Sequence, residues 1–171
     1  MGFQQQKSWK VLLIGDHCID VYHYGICDRL SPEAPVPVLK QQKVEIKLGM
    51  SSNVKNNLES FGIKVQHEKN SQAIEKHRVV DSRYNQHLIR FDVGENHLLS
   101  EINFDKRIEK VKNVDAVVIS DYNKGLLRHH TIEKVCEKFK NTPVFVDTKK
   151  TDLSCFSNCF IKINKKESQH L

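Results

Sequence analysis

The sequence predicts an α/β domain built on a parallel sheet, and three observations carry the prediction. Val11-Leu12-Leu13-Ile14 is a continuous apolar run, the pattern of a strand buried on both faces. Val117-Val118-Ile119-Ser120, Val144-Phe145-Val146 and Phe160-Ile161-Lys162-Ile163 repeat the design, and helical spacing separates them. Each run ends in side chains that offer oxygen: Asp16 and Asp20 after Gly15, then Asp121, Asp147 and Asn164. In an open parallel sheet the ligand crevice lies outside the carboxyl ends of the strands, so these endings are expected to converge on one site.

The first strand is Val11 to Ile14. Beyond it, Pro32, Pro35 and Pro37 alternate with Ala34, Val36 and Val38, which suits an edge or extended strand and forbids a central one. Val44 to Leu48 alternates apolar and polar residues and predicts a second strand beside it. Together they read as a small sheet standing off the main one, with a long ordered loop as the alternative.

Gly49 opens the clearest helix. Ser51 or Ser52 is its expected cap, Val54, Leu58 and Phe61 its apolar stripe, and Gly62 its terminator. Ser51, Ser52 and Asn53 crowd its first turn, where free N–H groups can hold an oxygen-rich ligand. Ile63 to Val65 resumes as a strand. Arg78 to Asp92 reads as a hairpin around Arg83-Tyr84-Asn85-Gln86, with Arg78, Arg83, Arg90 and Asp92 facing a ligand or, more simply, solvent.

Phe104, Ile108 and Val111 mark an amphipathic helix before the strand Ala116 to Ile119. Ile132, Val135, Cys136 and Phe139 mark another before Pro143. The alternation from Val114 to Ile163 calls for right-handed crossovers.

Composition narrows the function. With 171 residues the chain fits one domain and needs no disulfides. Its five cysteines are odd in number and irregular in spacing, which points to reduced thiols; no second pair completes a zinc site around Cys155 and Cys159. The formal charge of +6 comes from Lys and Arg interleaved with acids, so nucleic-acid binding is not indicated, while a bias toward phosphorylated ligands is. No apolar run precedes Val11, so neither secretion nor membrane insertion is indicated and a cytoplasmic protein is expected.

These residues match a family. The opening from Gly15 to Lys40, and within it Arg-Leu-Ser-Pro-Glu-Ala-Pro-Val-Pro-Val at Arg29 to Val38, resembles the ribokinase-like (PfkB) carbohydrate kinases, and among them the heptose 7-phosphate kinase branch. The later segments LGMSSN, RYNQHLIRFD, ISDYNKGLL, VFVDTKK and NKKE keep the same order, so the resemblance runs from about Val11 to Glu167. It implies a ribokinase-like parallel sheet flanked by helices, with a small β lid over about residues 22–48 and the C-terminal half of the family fold missing.

The resemblance also assigns roles. Asp16, Asp20 and Asn53, after the Gly49 turn, would hold sugar hydroxyls, since a carboxylate can accept two neighbouring hydroxyl hydrogen bonds. Lys124 and Lys149 would contact the sugar phosphate, with Arg90 joining them. Asn164 and Glu167 match an Asn-x-x-Glu motif that organises magnesium-bound ATP phosphates, often through water. Mg2+ and ATP are the implied cofactors and a sugar phosphate the implied ligand. The implied partner is a second copy through the lid, or a second chain that completes the fold.

Departures from the family pattern matter as well. A Gly-Ala-Gly-Asp segment supplies the family's anion hole and catalytic base, and this sequence contains none, so no catalytic residue is assigned. The chain alone is expected to be a very poor kinase. A non-catalytic sugar-phosphate-binding or oligomerising subunit, and one half of a split kinase, are the other readings. Met50, Ser51 and Ser52 stand where heptose kinases usually carry Gly-Ala-Ala, and Thr148 where they carry proline.

Overall fold

The computed structural model describes residues 8–72, 74–95, 104–165 and 167–170. In chain order the elements are β1 (Lys10–Gly15), β2 (His17–Ile26), β3 (Lys40–Met50), α1 (Ser51–Ser60), β4 (Lys64–Glu68), β5 (Ile74–Asp81), β6 (Gln86–Val93), α2 (Phe104–Lys110), β7 (Ala116–Asp121), α3 (His129–Lys138), β8 (Val144–Thr148), β9 (Phe160–Lys162) and a closing 3-10 turn (Glu167–His170). They form two compact units, one from Met1–His17, Met50–Ser71 and Leu98–Leu171, the other from Cys18–Gly49 and Gln72–His97.

The first unit is the expected parallel sheet, in the order β4-β1-β7-β8-β9. Leu12, Leu13 and Ile14 of β1 are fully buried, as a continuous apolar run in a central parallel strand should be. Ile108 and Phe104 of α2 and Ile132, Val135 and Cys136 of α3 bury the predicted stripes. The sheet is not covered equally everywhere: Phe145 and Phe160 stack on each other at 5.3 Å and both stay exposed. No helix among the described residues is long and apolar enough to cross a membrane.

The α1 stripe departs from expectation. Phe61 is exposed, and the buried residues of α1 are Ser51 and Ser52. Neither serine caps the helix; the N-cap position is Met50, at φ 51° and ψ −132°. The serines point inward instead, because polar partners wait for them there: Ser52 Oγ meets His17 Nδ1 at 2.7 Å, and Ser51 Oγ donates to the Gly15 carbonyl at 3.1 Å.

The second unit is a four-stranded sheet, β3-β2-β5-β6. β2 runs parallel to β5, and β5 and β6 form the expected antiparallel hairpin. Two expectations are corrected. Asp20 does not follow the first strand's carboxyl end; it lies inside β2, a ten-residue strand whose mixed polarity hid it. The proline run forms no strand, only an isolated Leu30–Pro37 bridge, because alternate residues lack the N–H that a ladder needs and the remaining amides close local turns onto Ala34, Val36 and Arg29 carbonyls.

Candidate functional site

In the first unit the strand ends form a buried acid–base cluster. Gly15 closes β1 because a side chain there would collide with the Ser120 carbonyl, and the chain then delivers Asp16 with no exposed surface. Asp16 Oδ2 accepts the N–H groups of Tyr122, at 2.8 Å, and Lys124, at 3.3 Å, both in the turn after β7. Its other oxygen, Oδ1, is buried without a hydrogen-bond partner. A buried acceptor of this kind is costly unless something completes it, which marks the position a ligand hydroxyl can fill.

Asp121, also buried, ends β7 beside it. Its Oδ1 accepts the Asn123 N–H at 2.9 Å and its Oδ2 accepts the Thr148 hydroxyl at 2.8 Å. Lys150 Nζ lies 3.5 Å from Asp121 Oδ2 and 3.0 Å from Asn123 Oδ1. Burial first, and then the Asp121 charge, push Asp16 up to about 6, against the pull of the two backbone N–H groups and Lys150. Asp16 is therefore a carboxyl that changes charge near neutrality.

Behind Asp16 lies a second polar layer. His17 exchanges backbone hydrogen bonds with the Asn70 side chain, at 2.6 and 3.1 Å, and His67 Nε2 sits 3.0 Å from Ser51 Oγ. Burial, followed by Lys69, His17 and Lys55, lowers His67 to about 4; burial and Lys69 lower His17 in the same direction. Both rings are neutral partners for the serines at physiological pH.

The other expected residues of this unit are more open. Asn53 is exposed in the first turn of α1, Lys124 is half-buried, and Lys149 and Asn164 are exposed after β8 and β9. The side chain of Glu167 lies outside the described residues. Asp147 is exposed 3.5 Å from Lys162 on the opposite face of β8, so Thr148, one residue on, is what β8 contributes to the cluster. The strand's two-residue period decides this.

In the second unit Asp20 and Gly49 are neighbours. A side chain at Gly49 would run into the Asp20 carboxylate and Cys18 Sγ, so glycine is required for that approach. Arg78 Nη1 meets Asp20 Oδ1 at 2.6 Å, and the Arg78 guanidinium lies 5.0 Å from the Tyr22 ring centre. Arg78 is thus turned toward the carboxylate and not to bulk water. Arg90, its cross-strand neighbour, forms a two-pronged pair with Asp92 at 2.6 and 2.7 Å. Lys43, Lys47 and Lys76 add cationic groups around Tyr22, Tyr24 and Glu95. Asp20 sits on a face rich in cations and aromatic rings, suited to hydroxylated anions.

Sequence reasoning did not single out Lys150 or the His17–Ser52 pair; it named Thr148 only as a departure from the family's proline and read Arg78 most simply as facing solvent. Lys150 follows an equally plausible Lys149, and only backbone direction tells the two apart. The two serines beside Asn53 were the available signal for the histidines, since buried hydroxyls need partners.

No family model matches the chain. It is similar to the bifunctional protein HldE of Campylobacter jejuni, 35% identical over 98% of this chain and 42% of that protein. It is also similar to HldE of Nitratiruptor sp., 34% identical over 93% and 40%, and of Haemophilus influenzae, 34% identical over 85% and 37%. The chain thus spans about two fifths of the length of these relatives. Among solved structures, phosphofructokinase-2 from Escherichia coli in complex with potassium matches 94% of this chain and 62% of its own length, at a TM-score of 0.58 and 12% identity. A carbohydrate kinase from Agrobacterium tumefaciens matches 84% and 54%, at 0.52 and 12%. The chain has the ribokinase-like fold of the PfkB sugar kinases and is a relative, over nearly all of its own length, of the bifunctional HldE proteins.

Proposed function

We propose that this chain binds a heptose 7-phosphate as the sugar-side portion of a kinase that transfers the ATP γ-phosphate to the anomeric hydroxyl. The observation that carries the reading is Asp16: a buried carboxyl at the end of a central parallel strand, with one oxygen held by two backbone N–H groups and the other left for a ligand. The substrate class rests on the resemblance of Arg29 to Val38 to the heptose 7-phosphate kinase branch, and the HldE likeness is in keeping with a sugar kinase-like role.

In the first unit Asp16 and Asn53 take sugar hydroxyls, and Lys124 and Lys149 take the phosphate. In the second unit Asp20, oriented by Arg78 and given room by Gly49, accepts hydroxyl hydrogens, and Arg90 adds positive charge. An ionised carboxylate suits this because it only accepts, and a sugar only gains orientation if the acceptors are fixed before it arrives. Magnesium-bound ATP is the group this fold implies; it supplies the phosphoryl group and offsets its charge. The exposed amide of Asn164 offers the oxygen ligand a hard cation takes, and Glu167 is its motif partner. The residues assigned here bind and orient the sugar, and no catalytic base is assigned among them.

A second reading, completion by another chain, is favoured by the uncovered Phe145–Phe160 face of the sheet. The test is a thermal-shift titration with heptose 7-phosphate, run beside an ADP-release assay with Mg-ATP. Saturable stabilisation lost in Asp20→Ala, without ADP release, supports the binding reading. Release lost in the same variant supports a completed site. No stabilisation in the folded protein rejects both.

A further inference from the structure

The Asp16–Asp121 pair raises a question of charge. Two carboxyls with essentially no exposed surface share one region, and one Asp16 oxygen has no donor. Neighbouring buried acids tend to hold one proton between them. If Asp16 took it, the O–H would fill the orphaned Oδ1 position, and the residue would donate where a sugar hydroxyl needs an acceptor.

Lys150 lies where it can prevent this. Its side chain is 8% exposed, its Nζ is 3.5 Å from Asp121 Oδ2 and 3.0 Å from Asn123 Oδ1, and its own N–H donates to Thr148 Oγ1 at 3.0 Å. Thr148 in turn donates to Asp121, so one short segment neutralises Asp121 and fixes its orientation. The charged groups acting on Asp16 are Asp121 from β7 and Lys150 from the turn after β8, while Lys124 acts through its backbone N–H.

We propose that Lys150 is a positioning residue of the sugar site: by pairing with Asp121 it leaves Asp16 ionised and able to accept a ligand hydroxyl. The ligand part rests on the heptose 7-phosphate reading; the charge coupling rests on Asp16 and Asp121 both accepting N–H groups of the turn after β7, on the Lys150–Asp121 pair, and on the electrostatics of that cluster. Lys150 touches no reacting atom. It acts through Asp121, and Lys149, the lysine of the family-like segment, is exposed one residue before it.

The experiment uses the full chain with 13C-labelled aspartate, following carboxyl carbons against pH, with Asp16 assigned by its loss in Asp16→Asn. Lys150→Met is expected to raise the Asp16 midpoint by about one pH unit, and Lys150→Arg to leave it nearly unchanged. Lys150→Gln, which keeps a donor toward Asn123 without the charge, replaces Lys150→Met if that variant does not fold. Affinity for heptose 7-phosphate should fall about five-fold at pH 6 and less than about two-fold at pH 8, following the ionised fraction of Asp16. An Asp16 midpoint that does not move in either neutral variant overturns the proposal, as does an affinity loss equal at both pH values. If the wild type binds no heptose 7-phosphate at any pH, the sugar reading fails, and the carboxyl titration still decides the coupling.

Discussion

Arg78 Nη1 and Asp20 Oδ1 are 2.6 Å apart, with only 16% and 18% of their side chains exposed. A pair this far out of water is worth more than a surface ion pair, and losing one partner strands the other. Arg78→Met is therefore expected to cost about 2 kcal/mol in urea denaturation. Asp20→Asn in the same background should recover part of it, since the stranded charge is removed. Additive losses in that cycle would show that the two residues do not couple. Heptose 7-phosphate affinity should fall about ten-fold or more in Arg78→Met, because a freed carboxylate no longer arrives pre-oriented.

Met50 has a backbone that suits glycine. At φ 51° and ψ −132° any side chain is strained, at a cost on the order of 1–3 kcal/mol, yet Met50 is only 7% exposed. Replacing it outright would mix strain relief with lost burial, so the informative comparison is between two truncations. Met50→Gly should be more stable than Met50→Ala by about 1 kcal/mol, reversing the usual preference for alanine over glycine. Midpoints of chemical denaturation measure this directly, and alanine being the more stable would refute the strained-backbone account.

Two groups of the first unit oppose each other in acid. Asp16 has a folded value raised to about 6, so its stabilising share is present below the ordinary carboxylate range near 3.8 and is lost as pH rises through 6. His67, lowered to about 4, works the other way: its share is present above the usual 6.5 and is lost as pH falls toward 4. Asp16→Asn keeps an oxygen for the Tyr122 and Lys124 N–H groups and removes the buried charge. It should gain on the order of 2 kcal/mol over wild type at pH 8 and nothing at pH 4. His67→Gln should gain stability relative to wild type at pH 4.5 compared with pH 8. Urea midpoints for the three proteins at these pH values check the signs, and parallel profiles would count against both assignments.

The parallel sheet was legible because its strands carry the simplest signal a sequence can give, an apolar run ended by glycine or a polar residue. Asp16 was legible for the same reason. What escaped was decided by side-chain direction and by partners distant in sequence. β2, HCIDVYHYGI, mixes charged, aromatic and apolar residues and so hides its period, which is why Asp20 read as an appendage of β1. Ser51 and Ser52 read as caps because capping is local. Their actual partners, His17 and Gly15, lie 35 and 36 residues away, and nothing local announces them. Asp147 and Thr148 differ by one step of a strand, and that step places one on each face.

The second unit exposes an apolar sheet face that a second copy of the chain should cover. Lys43 and Lys47 lie near the Tyr24 and Tyr22 rings, on the Asp20 face, so Val44, Ile46 and Leu48, at the alternate positions of β3, point to the opposite one. By the β2–β5–β6 register that opposite face also carries Val21, Val79, Ile89, Phe91 and Val93, and Ile46, Ile89 and Phe91 are among the most exposed apolar residues there. Four strands about 4.8 Å apart and roughly 25 Å long give about 500 Å² in plan. Side-chain relief brings that near the 800 Å² or so each partner contributes to a standard interface. Within it His23 and His77 stack, with Nε2 and Nδ1 3.0 Å apart, and His77 lies flat on Phe91 at 4.6 Å. A two-fold contact over this face buries like against like, with the Glu75 carboxylate on the same face held by His77 Nε2 at 2.9 Å. Wild type is accordingly expected to sediment as a dimer at tens of micromolar, and Ile46→Lys with Phe91→Glu as a monomer that keeps its far-ultraviolet spectrum. A monomeric wild type would overturn the dimer, and a dimer surviving the double substitution would move the interface elsewhere, the exposed Phe145–Phe160 stack being the next surface to mutate.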